Sequence, residues 1–378
     1  MKICFTGDVF LGGDLNHKSC RNVVEVEAFK KADIRIINLE QPISDNNFVE
    51  NKSTLYTDSF ALNQLKDLKV TAVNLANNHI QDKGLVAIDE TTRHLQSKNI
   101  GFFGGGKNIF HAEKPYWLTD EIALLGYCEF EKPYLSRIVV ATDKSAGVNP
   151  LRLEKIKSDL DNLPNGKKAI LYFHWGMEHI WLPPPNDILL AKKLLEDDRI
   201  ISIFGMQAHR AQGIINHAGK KAYMCLGNFI FPNFYIKPPV QIFYPKDEDK
   251  KKISFITRHY LSVHKMTYKK WRWINRISMM IEFCTKTNQI KHKFVIQDDN
   301  IPKISELSGF GLAFYKIWIP FISIVYKLPK TFYLILYKLQ VFQVTLIESV
   351  YRRYFELIQL GFLSLIYKTI KYVKKKNR

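Results

Sequence analysis

Through the first 240 residues, short apolar runs alternate with longer mixed segments. The runs KICFT (2–6), IRIIN (34–38), VTAVNL (70–75), IALLGY (122–127), AILYFHW (169–175), ISIF (201–204) and AYMCL (222–226) are rich in β-branched and aromatic residues. They are too short for helices and predict buried strands. Helical spacing fills several of the intervals. Leu85, Ile88 and Leu95 share one face of GLVAIDETTRHLQSKN, and Asp187 is placed to N-cap DILLAKKLLEDD. This alternation predicts an α/β core with a sheet that is at least partly parallel, and in such sheets chemistry collects on the loops beyond the strand carboxyl ends.

The pattern changes near 245–252, where YPKDEDKKK concentrates charge. The stretch GFGLAFYKIWIPFISIVYKL (309–328) is apolar but interrupted by Lys316 and Pro320, which predicts an interfacial or re-entrant segment before a spanning one. From about 331, polar residues fall at Lys338, Thr345, Glu348, Arg352, Glu356 and Gln359, then at Lys368, Lys371 and Lys375 after a slip near Gly361. These steps draw one narrow polar stripe on an otherwise apolar helix. Such a helix must be covered by a bilayer surface, a partner helix or the chain's own core.

Charge sharpens this division. The chain has 378 residues and a formal net charge of +19. Residues 1–240 hold 29 Lys and Arg against 27 Asp and Glu, whereas 241–378 hold 26 against 9. Two units are therefore expected: an α/β domain over 1–240 and a basic, apolar, helical extension over 241–378 that associates with a membrane or a partner. MTYKKWRWINR (266–276) mixes cations with aromatics in a way that suits either single-stranded nucleic acid or a membrane interface. Nucleic acid offers no cover for an apolar helix, so a membrane surface is the expected partner, with the terminal KYVKKKNR adding a polybasic signal. Five scattered cysteines without a CxxC pair fit neither a disulfide framework nor a zinc knuckle. The N-terminal MKICFTGDVF leaves no room for the apolar core of a signal peptide. A cytoplasmic protein, peripheral on the inner face of the cell membrane, is expected.

Each predicted strand is followed by potential ligands: Thr6-Gly7-Asp8, Asn38-Leu39-Glu40, Asn77-Asn78-His79, His174-Trp175-Gly176 and Gly205-Met206-Gln207-Ala208-His209. Any one of these is accounted for by a cap, a turn or a satisfied core group. Five on one sheet edge supply the carboxylate, amide and imidazole donors that suit divalent Mn, Fe or Zn. No GxSxG elbow supports a serine hydrolase. The triple glycine Gly104-Gly105-Gly106 lacks P-loop spacing and predicts a tight turn near the active face.

FTGDVFLGG, INLEQPIS, LANNHIQDKG, GFFGGGKN, YFHWGMEH, GMQAHRAQG and CLGNFIF, in this order, resemble the bacterial capsule-synthesis protein CapA family, named for poly-gamma-glutamate capsule formation. That family is similar to calcineurin-like metallophosphoesterases, and the resemblance covers about residues 1–235. It implies a calcineurin-like α/β sandwich and one or two divalent ions. Asp8 and His209 would hold the first ion, Glu40 would bridge, and Asn78 and His174 would hold the second. Gln207 would complete the metal-ligand set, with catalytic His79 facing the substrate as acid or as an oxyanion donor. Asn38, Glu178 and Asn228 would support these residues or the substrate, Glu178 by orienting His174. Two departures bear on activity. Asp8-Val9-Phe10 lacks the imidazole of the phosphoesterases' Asp-x-His, and the family's GHHPH reads GMQAH here, where Met206 is no ligand for a hard cation and Gln207 offers a neutral amide oxygen. The resemblance implies a metal-dependent phosphoesterase-like site in capsule or surface-polymer biosynthesis, acting on a polymer precursor. The alternative is a non-catalytic assembly or binding subunit of a membrane polymer-synthesis complex with a degenerate metal site.

Overall fold

A computed structural model describes residues 1–259 and 262–361. Two mixed sheets face one another across a hydrophobic core. In the first, the strands run Ile304–Glu306, Gln289–Gln297, Ile277–Cys284, Lys2–Val9, Ile34–Leu39, Ala72–Asn74, Gly101–Phe103, with Asn228–Ile230 pairing alongside Lys2–Val9. In the second the order is Ile214–His217, Lys220–Tyr223, Ile200–Met206, Lys168–His174, Ile122–Cys128, Tyr116–Trp117. Helices such as Leu85–Ser97 and Pro185–Leu195 connect the parallel strands. This is the expected α/β sandwich.

Lys2–Val9 explains why the run at the N-terminus is almost continuously apolar: it lies inside the first sheet and only Lys2 is exposed. Its Phe5 meets Phe204 and Tyr172 of the opposite sheet with ring centroids 5.1 and 6.2 Å apart. Aromatic pairs at this range add to what their burial already contributes.

Three sequence expectations change here. The division near 245 is not a division of the fold, because Ile277–Cys284 pairs antiparallel with Lys2–Val9 and extends the central sheet. The helical extension therefore begins at Gly309, with helices Gly309–Val325 and Lys330–Leu360. Lys291 and Lys293 lie on Gln289–Gln297, next to the edge strand Ile304–Glu306, and Lys293 pairs with Glu306 at 2.7 Å. Secondly, MTYKKWRWINR is not a continuous surface strip. Thr267–Lys269 joins a four-stranded sheet, and Trp271 is 1% exposed, its indole N–H donating to the Pro232 carbonyl at 3.1 Å. Thirdly, helix Pro185–Leu195 starts two residues before Asp187, using a proline in its first turn. Asp187 is buried within that turn instead of capping it.

The cysteines give a simple check on this packing. Cys4, Cys20, Cys128 and Cys225 are buried, and burial pushes each thiol up, that of Cys20 to about 12. Cys284 is accessible, and hydrogen bonds from Thr287 pull it down to about 7. Iodoacetamide at neutral pH should label Cys284 first, by mass spectrometry, with the other four reacting only on unfolding. Equal labelling of all five would contradict this core.

Candidate metal centre

The expected ligands meet because strand register brings them to one edge of both sheets. Asp8, Asn38 and Asn74 lie side by side on adjacent strands, and Asp8 also pairs with Asn228. In the second sheet Cys128, His174 and Met206 are aligned in the same way. Glu40 follows the second strand directly, its amide donating to the Val9 carbonyl at 2.9 Å.

An amide relay sets the Asp8 carboxylate. Asn74 Nδ2 donates to Asn38 Oδ1 at 2.8 Å, and Asn38 Nδ2 donates to Asp8 Oδ1 at 2.8 Å. Glycine makes room for it: a Cβ on Gly126 would lie 2.1 Å from Asn74 Oδ1. Asp8 is thus bonded through one oxygen, while its Oδ2 is buried without a hydrogen-bond partner.

Glu40 is the focus of the cluster. It is fully buried, and neither of its oxygens has a hydrogen-bond partner. Around Oε1 stand the Nε2 atoms of His79, His174 and His209, at 3.9, 3.9 and 3.8 Å. These gaps are too long for hydrogen bonds. For His174 and His209 they match the roughly 3 to 4 Å separations of donors that each stand about 2.1 Å from a shared ion. Asn78 Oδ1 lies 3.0 Å from His174 Nε2, and Asp8 Oδ2 lies 3.5 Å from His209 Nδ1. Among the described residues, ligand atoms of Asp8, Glu40 and His209 all fall within 4.8 Å of one another.

The electrostatics point the same way. Burial, then the carboxylates of Asp8, Glu178 and Asp82, hold the Glu40 carboxyl well above its usual range. A divalent cation reverses each of these effects. Burial pulls the His174 imidazole down to about 3, so it is neutral and able to donate a lone pair. Two histidines are oriented from behind. His79 Nδ1 is 2.6 Å from Asp82 Oδ2, and Asp82 is itself fixed by Lys52 at 2.7 Å and by the Leu55 amide. His209 Nδ1 donates to Asn228 Oδ1 at 2.8 Å, which in the neutral ring leaves Nε2 as the unprotonated nitrogen. The residues present fit a divalent ion.

Two expected residues fall differently. Gln207 Nε2 donates to Glu178 Oε1 at 3.5 Å, and Gln207 has a φ of +89°, a costly backbone for a residue with a Cβ. Glu178 does not reach back to His174: the chain after His174 is a turn, and Glu178 pairs with Gln207 and with His179 at 3.6 Å. Met206, in place of the family's imidazole, packs into the inter-sheet core.

A cavity of about 290 Å³ adjoins the cluster. Asn78, His79, Glu178 and His209 line it, and so do His259, Lys269, Trp271 and Arg352. Sequence reasoning missed this second group, whose members come from the small sheet, its loop and the last helix. Asp82 was also missed, although its place three residues after His79 carried the signal.

The profile of the family described as Bacterial capsule synthesis protein PGA_cap matches residues 2–233. The PGA biosynthesis protein CapA of Bacillus subtilis (strain 168) is 25% identical over 244 residues, 60% of this chain and 62% of that protein. The chain thus spans less than two thirds of that relative's length. Among solved structures, one crystal structure has a TM-score of 0.41 at 10% identity, covering 77% of this chain and 98% of its own. TT1561 of Thermus thermophilus has a TM-score of 0.36 at 10% identity, covering 62% and 92%. Likenesses at this level carry no functional inference. The PGA_cap profile, in contrast, spans more than half of the chain and every residue of the Asp8, Glu40 and His209 group, so the chain belongs to the bacterial capsule synthesis protein PGA_cap family.

Proposed function

We propose that this protein is a metal-dependent phosphoester hydrolase acting on an anionic precursor in capsule or surface-polymer biosynthesis. The observation that carries the reading is Glu40: a buried carboxylate with two orphaned oxygens, ringed by three imidazoles at 3.8 to 3.9 Å. Asp8, Glu40 and His209 would hold one divalent ion, and Asn78 and His174, sharing Glu40, a second. Such ions supply an acidified water and neutralise charge developing on a phosphoryl group.

The protein's own residues do the rest. His79 lines the cavity with its Nδ1–H held by Asp82, which aims Nε2 at the substrate; as an imidazolium, its charge balanced by Asp82, the ring would pass its Nε2 proton to the leaving oxygen. Trp271, Phe231 and Phe234 give the cavity one apolar wall, beside which polar contacts are strengthened. Arg352 brings a permanent positive charge to the cavity from a helix beyond the family match, where it would fix a second anionic group of the substrate.

Purified protein should contain near-stoichiometric Mn, Fe or Zn and cleave bis(p-nitrophenyl) phosphate. His79→Ala should lower kcat by about 10²-fold or more while leaving the metal in place. Metal-loaded wild-type protein with no turnover on phosphodiesters or phosphomonoesters would instead identify a binding subunit. Arg352→Ala should raise KM for the same anionic substrate by about tenfold, the value of one charge-assisted contact. The neighbouring Arg353→Ala should not. Equal effects from both would contradict the cavity's role in binding.

A further inference from the structure

On the helix Lys330–Leu360, Gln340, Glu348, Glu356 and Gln359 face the protein, while a row of large apolar side chains faces outward. Gln340 Oε1 accepts from the Trp181 and Leu182 amides at 2.8 and 3.2 Å. Gln359 Oε1 accepts from the His264 amide at 2.7 Å, and its side chain is buried. Glu348 and Glu356 stand 3.8 and 3.4 Å from His259 and His264. Gln340, Glu348, Glu356 and Gln359 thus form the docking face toward the body of the protein. Its amides satisfy backbone donors that would otherwise be left unpaired.

On the opposite face Phe332, Ile335, Leu339, Phe342, Leu346 and Val350 recur at steps of three and four, and each is more than half exposed. Helix Gly309–Val325 continues the surface: it buries Tyr315, Ile319 and Ile322 and exposes Ile317, Phe321 and Ile324. A contiguous apolar surface of this kind marks a binding face.

The charges say what covers it. Both acidic residues of the two helices, Glu348 and Glu356, are turned to histidines of the body. The exposed charges that remain are all cations: Lys316, Lys327, Lys330, Lys338, Arg352 and Arg353. The sequence beyond Gly361 adds six more Lys and Arg and no acid. Among the described residues no helix is long and apolar enough to cross a membrane. A second copy of the chain would set like charges against each other, whereas an anionic bilayer accepts both the apolar stripe and the cations at its rim. We infer that the outer face of these two helices lies in the surface of an anionic membrane. Arg352, on the same helix, lines the cavity beside the metal cluster, so docking would bring that cavity close to the headgroups.

The experiment is flotation of the full-length protein with vesicles of equimolar phosphatidylglycerol and phosphatidylcholine, and with phosphatidylcholine alone. Leu339→Gln/Phe342→Gln/Leu346→Gln alters exposed positions only, and its circular dichroism melt should match wild type. Wild type should float with the anionic vesicles, and the triple variant should bind at least about tenfold more weakly. Lys330→Glu/Lys338→Glu/Arg353→Glu should abolish the preference for phosphatidylglycerol. A wild-type protein that does not float, or a triple variant that floats as well as wild type, overturns the inference. So does a concentration-dependent dimer that the triple variant dissolves, because a second copy would then cover the face. None of these outcomes depends on metal content, so the test is independent of the proposed chemistry.

Discussion

Glu40→Gln is expected to abolish metal binding and, in the same protein, to raise the stability of the metal-free form. Both effects come from one carboxylate. Its two oxygens are buried with no hydrogen bond from the protein, next to an Asp8 oxygen in the same condition. Uncompensated burial of such groups costs about 1–3 kcal/mol, and more when they are charged. An uncharged amide of the same shape removes the repulsion between the two acids. The variant stripped with a chelator should therefore unfold at higher denaturant than stripped wild type, by about 1–3 kcal/mol. Adding Mn²⁺ should then reverse the order. Wild type gains stability in proportion to the logarithm of ion concentration over Kd, and the variant gains nothing measurable. Denaturant titrations of both proteins, with and without Mn²⁺, measure all four values. A variant that is less stable than wild type in both conditions would mean that Glu40 is a structural residue whose partners lie elsewhere.

Gly7→Ala is expected to be the most damaging single-methyl change near the site, lowering stability by about 3 kcal/mol or more. A Cβ at this position would lie 1.8 Å from the carbonyl oxygen of Gly227. That oxygen accepts the Asp8 amide at 3.0 Å, within the join between the central strand and Asn228–Ile230. The obstruction is backbone, which cannot rotate away as a side chain can. The strands must separate, taking Asp8 and Asn228 with them. A large fall in the urea midpoint together with loss of metal is the predicted result. A midpoint within error of wild type would contradict the close approach of these two segments.

The site was legible because its chemistry is local to strand ends. Asp8, Glu40, Asn78, His79, His174 and His209 each sit within a few residues of an apolar run whose boundaries the sequence marks. What was illegible depends on long-range placement. Asp82 is held by Lys52 and the Leu55 amide, which are remote in the chain. The strands after 276 look like part of a basic tail by composition, yet Ile277–Cys284 is almost wholly buried and extends the central sheet by pairing along the edge of the N-terminal strand. Trp271 sits among cations in the sequence and in a core in the fold. The stripe on the last helix was visible in the periodicity, but periodicity distinguishes two faces without saying which one meets the protein. Backbone donors at Trp181, Leu182 and His264 decide that, and they belong to other segments.

That Asp8, Glu40 and His209 surround a divalent ion is tested most directly by an anomalous difference map from crystals of the full-length protein soaked in Mn²⁺. A peak about 2.1 Å from oxygens of Asp8 and Glu40 and a nitrogen of His209 is the predicted result. Full Mn²⁺ occupancy elsewhere with no density among these three residues, or no bound Mn²⁺ at saturating concentration, would contradict it.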